Sequence, residues 1–198
     1  MKFKHLVTII ISLTFTFLFT GCSGSSSTST TTPTIKEGNT VYENNTFSLQ
    51  LPKSWEVIDK TSFTSTVPTE TVIGFRNNIK SDIFTANVNV AQKQLQQSDS
   101  PSVKDFAKSS LEILRNNLIS YQIFNEKEGK MTYGKDGLVT YYTELEGKKS
   151  ASEQIIHFKQ VYVINQGIAY TVTAAYLPNE DESVVTTVGE MLDSFYLK

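Results

Sequence analysis

The sequence contains few of the residues on which most catalytic and metal centres depend. Cys22 is its only cysteine, and His5 and His157 are its only histidines, among 198 residues. A single cysteine excludes an internal disulfide bond and a zinc site built from several thiolates. The folded part of the chain must therefore be held together by its hydrophobic core.

Positive charge is also scarce. Arg76 and Arg115 are the only arginines, and 18 Lys+Arg stand against 20 Asp+Glu without a basic cluster. Domains that bind nucleic acid usually concentrate lysine and arginine on one face. The composition therefore argues against a nucleic-acid partner.

One long apolar run, at residues 6–20, follows Lys2 and Lys4 near the N-terminus. As a helix this run would span about 22 Å, which is less than the roughly 30 Å hydrocarbon core of a membrane. A short apolar run behind a positive start is typical of an export signal. We therefore predict that residues 1–21 form a signal peptide and not a permanent membrane helix.

The residues that end this run indicate how it is processed. The segment LFTGC, which ends in Gly21 and Cys22, resembles the lipobox of bacterial lipoproteins. That resemblance implies cleavage between Gly21 and Cys22 and attachment of a diacylglycerol, with acyl chains such as palmitate, to the Cys22 sulfur. The family prefers leucine three residues before the cysteine, whereas this chain has Phe19 there and Leu18 one place earlier.

The alternative is an unmodified cysteine in an ordinary secretory signal or an uncleaved anchor. A lone free thiol is unusual in an exported protein, so lipidation of Cys22 is the stronger prediction. Two acyl chains suffice for stable anchoring where one does not. We expect the mature protein on the extracytoplasmic face of the bacterial cell membrane, held there by its lipid.

The segment after the cysteine predicts a tether. Residues 23–34 read SGSSSTSTTTPT, in which ten of twelve residues are serine or threonine. Such a segment cannot bury enough apolar surface to fold by itself. We therefore divide the chain into a signal peptide (1–21), a lipidated tether (22–37) and a single folded domain (38–198).

Alternating apolar residues predict strands in most of the domain. Phe47, Leu49 and Leu51 alternate between a Glu-Asn-Asn turn and Pro52, which is typical of a hairpin. Similar patterns predict strands at residues 71–76 and 84–91. Residues 121–176 predict a run of antiparallel strands, with turns at 134–137, 146–148 and 165–167.

Helical spacing replaces this alternation in two segments. In residues 100–118 an apolar stripe follows either Ser100 with Pro101 or Ser102 with Asp105, and both pairs suit a helix start. In the last segment we predict that Asn179 caps a helix whose buried stripe is Val184, Val188, Met191 or Leu192, and Phe195.

The order of these elements resembles the PsbP-like superfamily. The opening Phe-x-Leu-x-Leu-Pro-x-x-Trp at residues 47–55 and the closing Asp-Ser-Phe at 193–195 carry the resemblance. This group includes the extrinsic photosystem II subunit, the Ran guanine-nucleotide release factor and bacterial lipoproteins of the DcrB type. The resemblance implies an α+β fold, an α/β/α sandwich around an antiparallel sheet, whose members mostly bind other macromolecules. Metal sites in photosynthetic members use histidines that this chain lacks, so none is carried over.

The remaining polar residues suggest structural roles. We expect His157 to be hydrogen-bonded on the polar face of a strand, and Glu126 and Glu128 to flank a solvated turn. The acids Glu180 to Glu182 match a helix start. No calcium loop, nucleophile motif or phosphate loop is present in the sequence, so we predict no enzyme, no metal and no cofactor.

Tyrosine is abundant in the C-terminal strands, and its position leaves two interpretations open. Tyr141 and Tyr142 are neighbours and must face opposite sides of a strand. An exposed tyrosine patch would suit a protein or glycan contact, whereas rings covered by helices would be core, as we also expect for Trp55.

These observations predict a non-catalytic lipoprotein. The first hypothesis is a binding or accessory module for an envelope protein complex, which requires an exposed aromatic or apolar patch. The alternative is a transport accessory that binds a small ligand, which requires a closed cavity of roughly 300 Å³ or more.

Overall fold

The computed structural model describes residues 34–64, 67–96, 100–131 and 137–198. Within these ranges the chain forms ten strands, two α-helices and one 3-10 turn at Lys60–Ser62. In chain order the elements are β1 (Asn39–Glu43), β2 (Phe47–Pro52), β3 (Glu56–Asp59), β4 (Thr71–Arg76), β5 (Asn87–Gln94), α1 (Val103–Asn117), β6 (Ile119–Lys130), β7 (Val139–Lys148), β8 (Ile156–Asn165), β9 (Ile168–Tyr176), α2 (Glu182–Asp193) and β10 (Tyr196–Leu197).

A seven-stranded antiparallel sheet forms the central layer, in the order β3-β4-β5-β9-β8-β7-β6. On one face α1 packs against β6, β7 and β8. On the other face lie α2, which packs against β5, β9 and β8, and a small sheet in the order β1-β2-β10. The predicted α+β sandwich around an antiparallel sheet is confirmed, with the small sheet as an added part of one outer layer.

Hydrophobic cores lie on both faces of the large sheet. The larger core joins the small sheet, the middle of the large sheet and α2, through residues such as Phe47, Phe75, Val172 and Met191. The smaller core lies under α1 and includes Ala107, Tyr141 and Tyr162. Because neighbouring strand residues point to opposite faces, Tyr162 lies under α1 while Val163 lies in the larger core.

Of the two predicted starts for α1, at Ser100 and at Ser102, the structure has the second. Ser102 is the N-cap, and its hydroxyl oxygen accepts a hydrogen bond from the Asp105 backbone N–H at 3.1 Å. Ala107 and Leu111 are fully buried, and Val103 and Phe106 pack at the edge of the smaller core. The prediction from Ser102 and the apolar stripe is confirmed.

The second helix begins two residues after its predicted cap. Asp181, not Asn179, is the N-cap, and its carboxylate accepts a hydrogen bond from the Ser183 backbone N–H at 2.8 Å. This contact with Ser183 also lowers the pKa of Asp181. Asn179 lies in the preceding turn, where Glu180 N–H bonds the Leu177 carbonyl. The buried stripe contains both Met191 and Leu192, with Val188 and Phe195.

Two of the predicted turns are strand interior. Residues 146–148 belong to β7, where Gly147 pairs with Ile156, and the chain reverses after Lys148. Glu126 and Glu128 belong to β6, and they pair with Lys108 and Lys104 of α1 at 2.7 and 3.1 Å. Gly147 allows the close approach of Leu118, and the two glutamates form ion pairs with α1. Local sequence alone cannot distinguish these roles from a turn.

The hairpin between β8 and β9 follows its predicted turn. Gln166 and Gly167 both have positive φ, 51° and 75°, between the paired residues Asn165 and Ile168. Two residues of positive φ match the right-handed twist of the flanking strands. Of the turn predicted at 134–137, residues 134–136 lie outside the described residues.

Two glycines without positive φ predict opposite responses to alanine. At Gly147 an added Cβ would lie 3.0 Å from Leu118 Cδ1 and 3.1 Å from Leu118 Cβ, so we expect Gly147→Ala to lower the free energy of unfolding by about 1–3 kcal/mol. At Gly189, inside α2, an added Cβ would meet nothing within 4 Å, so we expect Gly189→Ala to raise it by about 0.5–1 kcal/mol. Urea-induced unfolding measures both. A Gly147→Ala variant as stable as the parent would contradict the close approach of Leu118, and a destabilised Gly189→Ala variant would contradict the open space at Gly189.

Candidate functional site

The two helices cover opposite halves of the large sheet, and this leaves part of each face without a helix. On the α2 face, α2 packs against β5, β9 and β8, while β6 and β7 at the sheet edge lie beyond it. A group of aromatic and charged side chains lines this region and its border. We call it the open sheet face and define it as Phe124, Lys127, Tyr142, Glu144, Glu146, His157, Lys159 and Tyr176.

His157 is the centre of one half of the open sheet face. Its Nε2 lies 2.9 Å from Glu146 Oε2 on the adjacent strand. Its ring stands edge-on to the rings of Phe124 and Tyr176, at centroid distances of 5.6 and 5.8 Å. The prediction of a hydrogen-bonded sheet histidine is confirmed, with Glu146 as the partner.

Glu144 organises the other half of the open sheet face. The Tyr142 hydroxyl donates a hydrogen bond to Glu144, and Lys159 Nζ lies 3.8 Å from the same carboxylate. Lys127 Nζ lies 4.9 Å from the centre of the Tyr142 ring, and Lys159 Nζ lies 5.8 Å from that of Tyr176. Cations above aromatic rings and a shared carboxylate hold these side chains in fixed positions.

Burial raises the pKa of both tyrosines of this face above the ordinary value for a tyrosine. Burial and the bond to Glu144 raise the pKa of Tyr142 far above its ordinary value. Burial raises the pKa of Tyr176 to about 12. At the end of α2, desolvation raises the pKa of Asp193, and the ammonium groups of Lys127 and Lys159 oppose that rise. The face therefore presents neutral hydroxyls between paired charges.

The contacts of His157 decide which chemistry this face has the groups for. A histidine next to a carboxylate can act as a base, but nucleophilic catalysis also needs a nucleophile within hydrogen-bond reach of the histidine. The contacts of His157 are a carboxylate and two aromatic rings. Within the described ranges, no group of three or more His, Cys, Asp and Glu residues is placed to hold a metal ion.

Most of the C-terminal tyrosines are core residues. Tyr141, Tyr162, Tyr170 and Tyr176 are buried, while Tyr142 is half-buried on the open sheet face. Tyr141 and Tyr142 face opposite sides of β7 as predicted, with Tyr141 in the core under α1. Trp55 is also a core residue. Tyr133 lies outside the described residues.

A cleft between α1 and β6 is the second feature that could bind a molecule. It has a volume of about 250 Å³, is open to solvent, and is lined by residues including Lys108, Arg115 and Tyr121. The buried Tyr121 hydroxyl has no hydrogen-bond partner in the described part of the chain, and the Arg115 guanidinium lies 5.6 Å from its ring centre.

A wider depression of about 700 Å³ lies beside the first turns of α2. Lys36, Asp181 and Glu190 contribute to its lining, and Lys36 Nζ pairs with Glu190 at 2.6 Å. It is an open surface of charged and hydroxyl side chains. Neither depression matches the closed cavity that the small-ligand hypothesis requires.

Gly21 and Cys22, the two site residues predicted from sequence, lie outside the described residues. In the part of the chain that the structure describes, no helix has the length and apolarity needed to cross a bilayer. The open sheet face was not predicted as a site, although Tyr142 was considered for a patch. The sequence offers alternation in each strand, but the cross-strand contacts of Phe124, Glu146 and Lys159 depend on strand register.

Comparison with known proteins yields structural neighbours alone. No protein-family model matches the chain, and no curated protein sequence matches it. The solution structure of cyanobacterial PsbP (CyanoP) from Synechocystis sp. PCC 6803 superposes with a TM-score of 0.60 and 14% identity, over 91% of this chain and 99% of that one. The domain has a PsbP-like fold.

Two further structural neighbours come from a yeast and a mycobacterium. The Ran-binding protein Mog1p of Saccharomyces cerevisiae has a TM-score of 0.52 at 13% identity, over 79% of this chain and 94% of that one. LpqN, involved in cell envelope biogenesis of Mycobacterium tuberculosis, has a TM-score of 0.52 at 12% identity, over 81% of this chain and 90% of that one. At such identities the likeness establishes the PsbP-like fold and leaves function to the residues of this chain.

Proposed function

We propose that this protein is a membrane-anchored extracytoplasmic lipoprotein whose PsbP-like domain is a non-catalytic binding or accessory module for an envelope protein complex. The observation that carries the proposal is the position of Cys22. The only cysteine of the chain directly follows an apolar run of signal-peptide length and precedes a serine- and threonine-rich tether.

The open sheet face is the docking surface in this proposal. Phe124 is 50% exposed at its rim, and half-buried Tyr142 and His157 provide ring surface next to it. Protein interfaces favour aromatic side chains with a polar rim. Because Glu144 and Glu146 already hold their partners in place, little side-chain entropy would be lost on docking.

A small-ligand role is supported by one specific observation, the cleft between α1 and β6. The unpartnered Tyr121 hydroxyl, beside the Arg115 guanidinium, could donate a hydrogen bond to a small polar ligand. Glu112 and Glu126 also line the cleft, and Lys108 already pairs with Glu126 at 2.7 Å. The cleft is open, and its volume of about 250 Å³ is below that of most ligand pockets. Docking to a protein is therefore the better-supported function.

A pair of photo-crosslinking variants tests the docking surface. A photoreactive phenylalanine analogue at Phe124 is expected to capture one envelope protein in stoichiometric yield in intact cells. The same analogue at Ile113 is the control, because Ile113 is 61% exposed but lies on α1, on the opposite side of the sheet. Capture by neither position, together with a co-purifying small molecule, would favour the ligand role. Equal capture at both positions would contradict a specific docking face.

A further inference from the structure

The loop between β4 and β5 presents two isoleucines to solvent. Ile79 and Ile83 are 74% and 67% exposed, more than any other large hydrophobic side chain in the described part of the chain. Single exposed hydrophobic residues are common on protein surfaces, but these two lie four residues apart on one loop, on either side of the exposed Lys80, Ser81 and Asp82.

Hydrogen bonds fix the backbone of this loop next to both isoleucines. Asn77 is buried, donates its backbone N–H to the Ala86 carbonyl at 3.0 Å, and accepts from the Ile79 N–H through its side chain at 3.1 Å. The Ser81 hydroxyl oxygen accepts from the Ile83 N–H at 3.2 Å. The side chains of Asn77 and Ser81 thus fix the backbone at both isoleucines, whose side chains are exposed to solvent.

The chain enters the described domain along β2, where the Lys36 N–H donates to Gln50 Oε1 at 3.0 Å, and it then reaches the start of β1. Gly38, just before β1, accepts a hydrogen bond from the Lys53 N–H at 3.1 Å. Three residues after Lys53, Glu56 pairs with Lys80 of the loop at 3.1 Å. The turn between β2 and β3, at residues 53–55, therefore connects the start of β1 with the loop that carries Lys80.

We infer that Ile79 and Ile83 insert into the surface of the phospholipid membrane to which Cys22 anchors the chain. This inference rests on the proposed lipidation and adds a second, shallow contact to it. From Cys22 to residue 34 the chain can extend at most about 40 Å. The anchor therefore holds the loop near the bilayer at a high effective concentration, at which a weak apolar contact is sufficient.

The expected insertion is shallow and does not depend on anionic lipid. Apolar side chains of surface-bound segments reach about 5–10 Å into the headgroup and acyl boundary. Lys80, the cation of the loop tip, already pairs with Glu56, and removal of residues 1–21 leaves 16 basic against 20 acidic residues. Neutral phosphatidylcholine is therefore an adequate membrane for the test.

The test uses the mature lipidated protein in phosphatidylcholine vesicles. With Cys22 blocked by its thioether, Ile79→Cys supplies the only free thiol for an environment-sensitive fluorophore. The matched control is Asn45→Cys, in the exposed turn between β1 and β2. The neighbouring Thr46 contacts Gln92 near the far end of β5, so the control lies at the opposite end of the domain.

The fluorophore at position 79 is expected to shift to shorter wavelength, and spin-labelled lipid is expected to quench it at least about threefold more than the fluorophore at position 45. Adding Ile83→Asp to the Ile79→Cys chain should abolish this difference. Equal, weak quenching at both positions in a chain that carries its diacylglycerol and floats with the vesicles would overturn the insertion alone. A chain that lacks the lipid and does not float would overturn the proposed function together with it.

Other occupants of the loop give different results. A wavelength shift that rises with protein concentration in detergent, without quenching by lipid, would assign the loop to a second copy of the chain. A shift seen in native membranes and absent in pure phosphatidylcholine would assign it to a protein partner. Either result would overturn insertion into lipid.

Discussion

Replacement of Cys22 by serine is expected to move the protein from the membrane fraction to the soluble or secreted fraction. The wild-type chain should sediment almost entirely with membranes. Two acyl chains bind a bilayer stably, and each buried methylene contributes about 0.8 kcal/mol. Serine keeps the size and polarity of the position but cannot form the thioether. Cell fractionation with immunodetection measures the change.

The mass of the mature protein is the matching control. The wild-type N-terminal peptide should begin at residue 22 and carry a diacylglycerol, which lowers its mobility on reversed-phase chromatography. A Gly24→Ala variant, two residues beyond Cys22 in the tether, should fractionate like the parent. Membrane association that survives Cys22→Ser, in a parent without fatty acid, would contradict the proposed anchor.

The second large effect is expected in the core. Phe47→Ala should lower the free energy of unfolding by about 3–5 kcal/mol, because it leaves a cavity where the small sheet meets α2. The Phe47 side chain is fully buried, with ring centroids 5.4 Å from Phe195 and 5.9 Å from Tyr42. The total free energy of unfolding of such a domain is about 5–15 kcal/mol, so the expected loss is a large share of its stability.

Phe124→Ala is the matched control for the core variant. Phe124 has the same side chain at 50% exposure, so its loss should change stability by less than about 1 kcal/mol while it weakens capture of a partner. Urea-induced unfolding of mature chains that carry Cys22→Ser, followed by the fluorescence of buried Trp55, measures both. Similar losses of stability in the two variants would contradict the assignment of Phe124 to a surface.

The sheet interior was predictable where the local pattern and the tertiary environment agree. β4 occupies the predicted residues 71–76. Ala86, just before β5, and Val88 and Val90 within it face the core, as their alternation predicted. The strand itself runs later than predicted, over Asn87–Gln94, because its pairing with β9 continues through polar residues. Hydrophobic alternation marks the face of a strand better than its ends.

The small sheet was not predictable from local pattern. β10 contains only two residues, and these pair with Ser48 and Phe47 of β2, which lie near the other end of the sequence. The Ser194 hydroxyl accepts from the Gln50 N–H at 2.9 Å and donates to the Met191 carbonyl at 2.8 Å, which ties the end of α2 to this sheet. The bond between Gln50 and Ser194 joins residues 144 positions apart, so no window of sequence contains it.

Features that depend on composition and on neighbouring residues could be read from the sequence. The α1 start at Ser102 and the apolar faces of the strands are of this kind, and so are the predicted signal peptide and tether around Cys22. Long-range packing, in contrast, fixes which half of each sheet face lacks a helix, that Glu146 is the partner of His157, and that Ile79 and Ile83 are exposed on one loop. Helix starts and strand faces follow from local hydrogen bonds and side-chain periodicity, whereas surfaces arise from strand register and layer packing between distant segments.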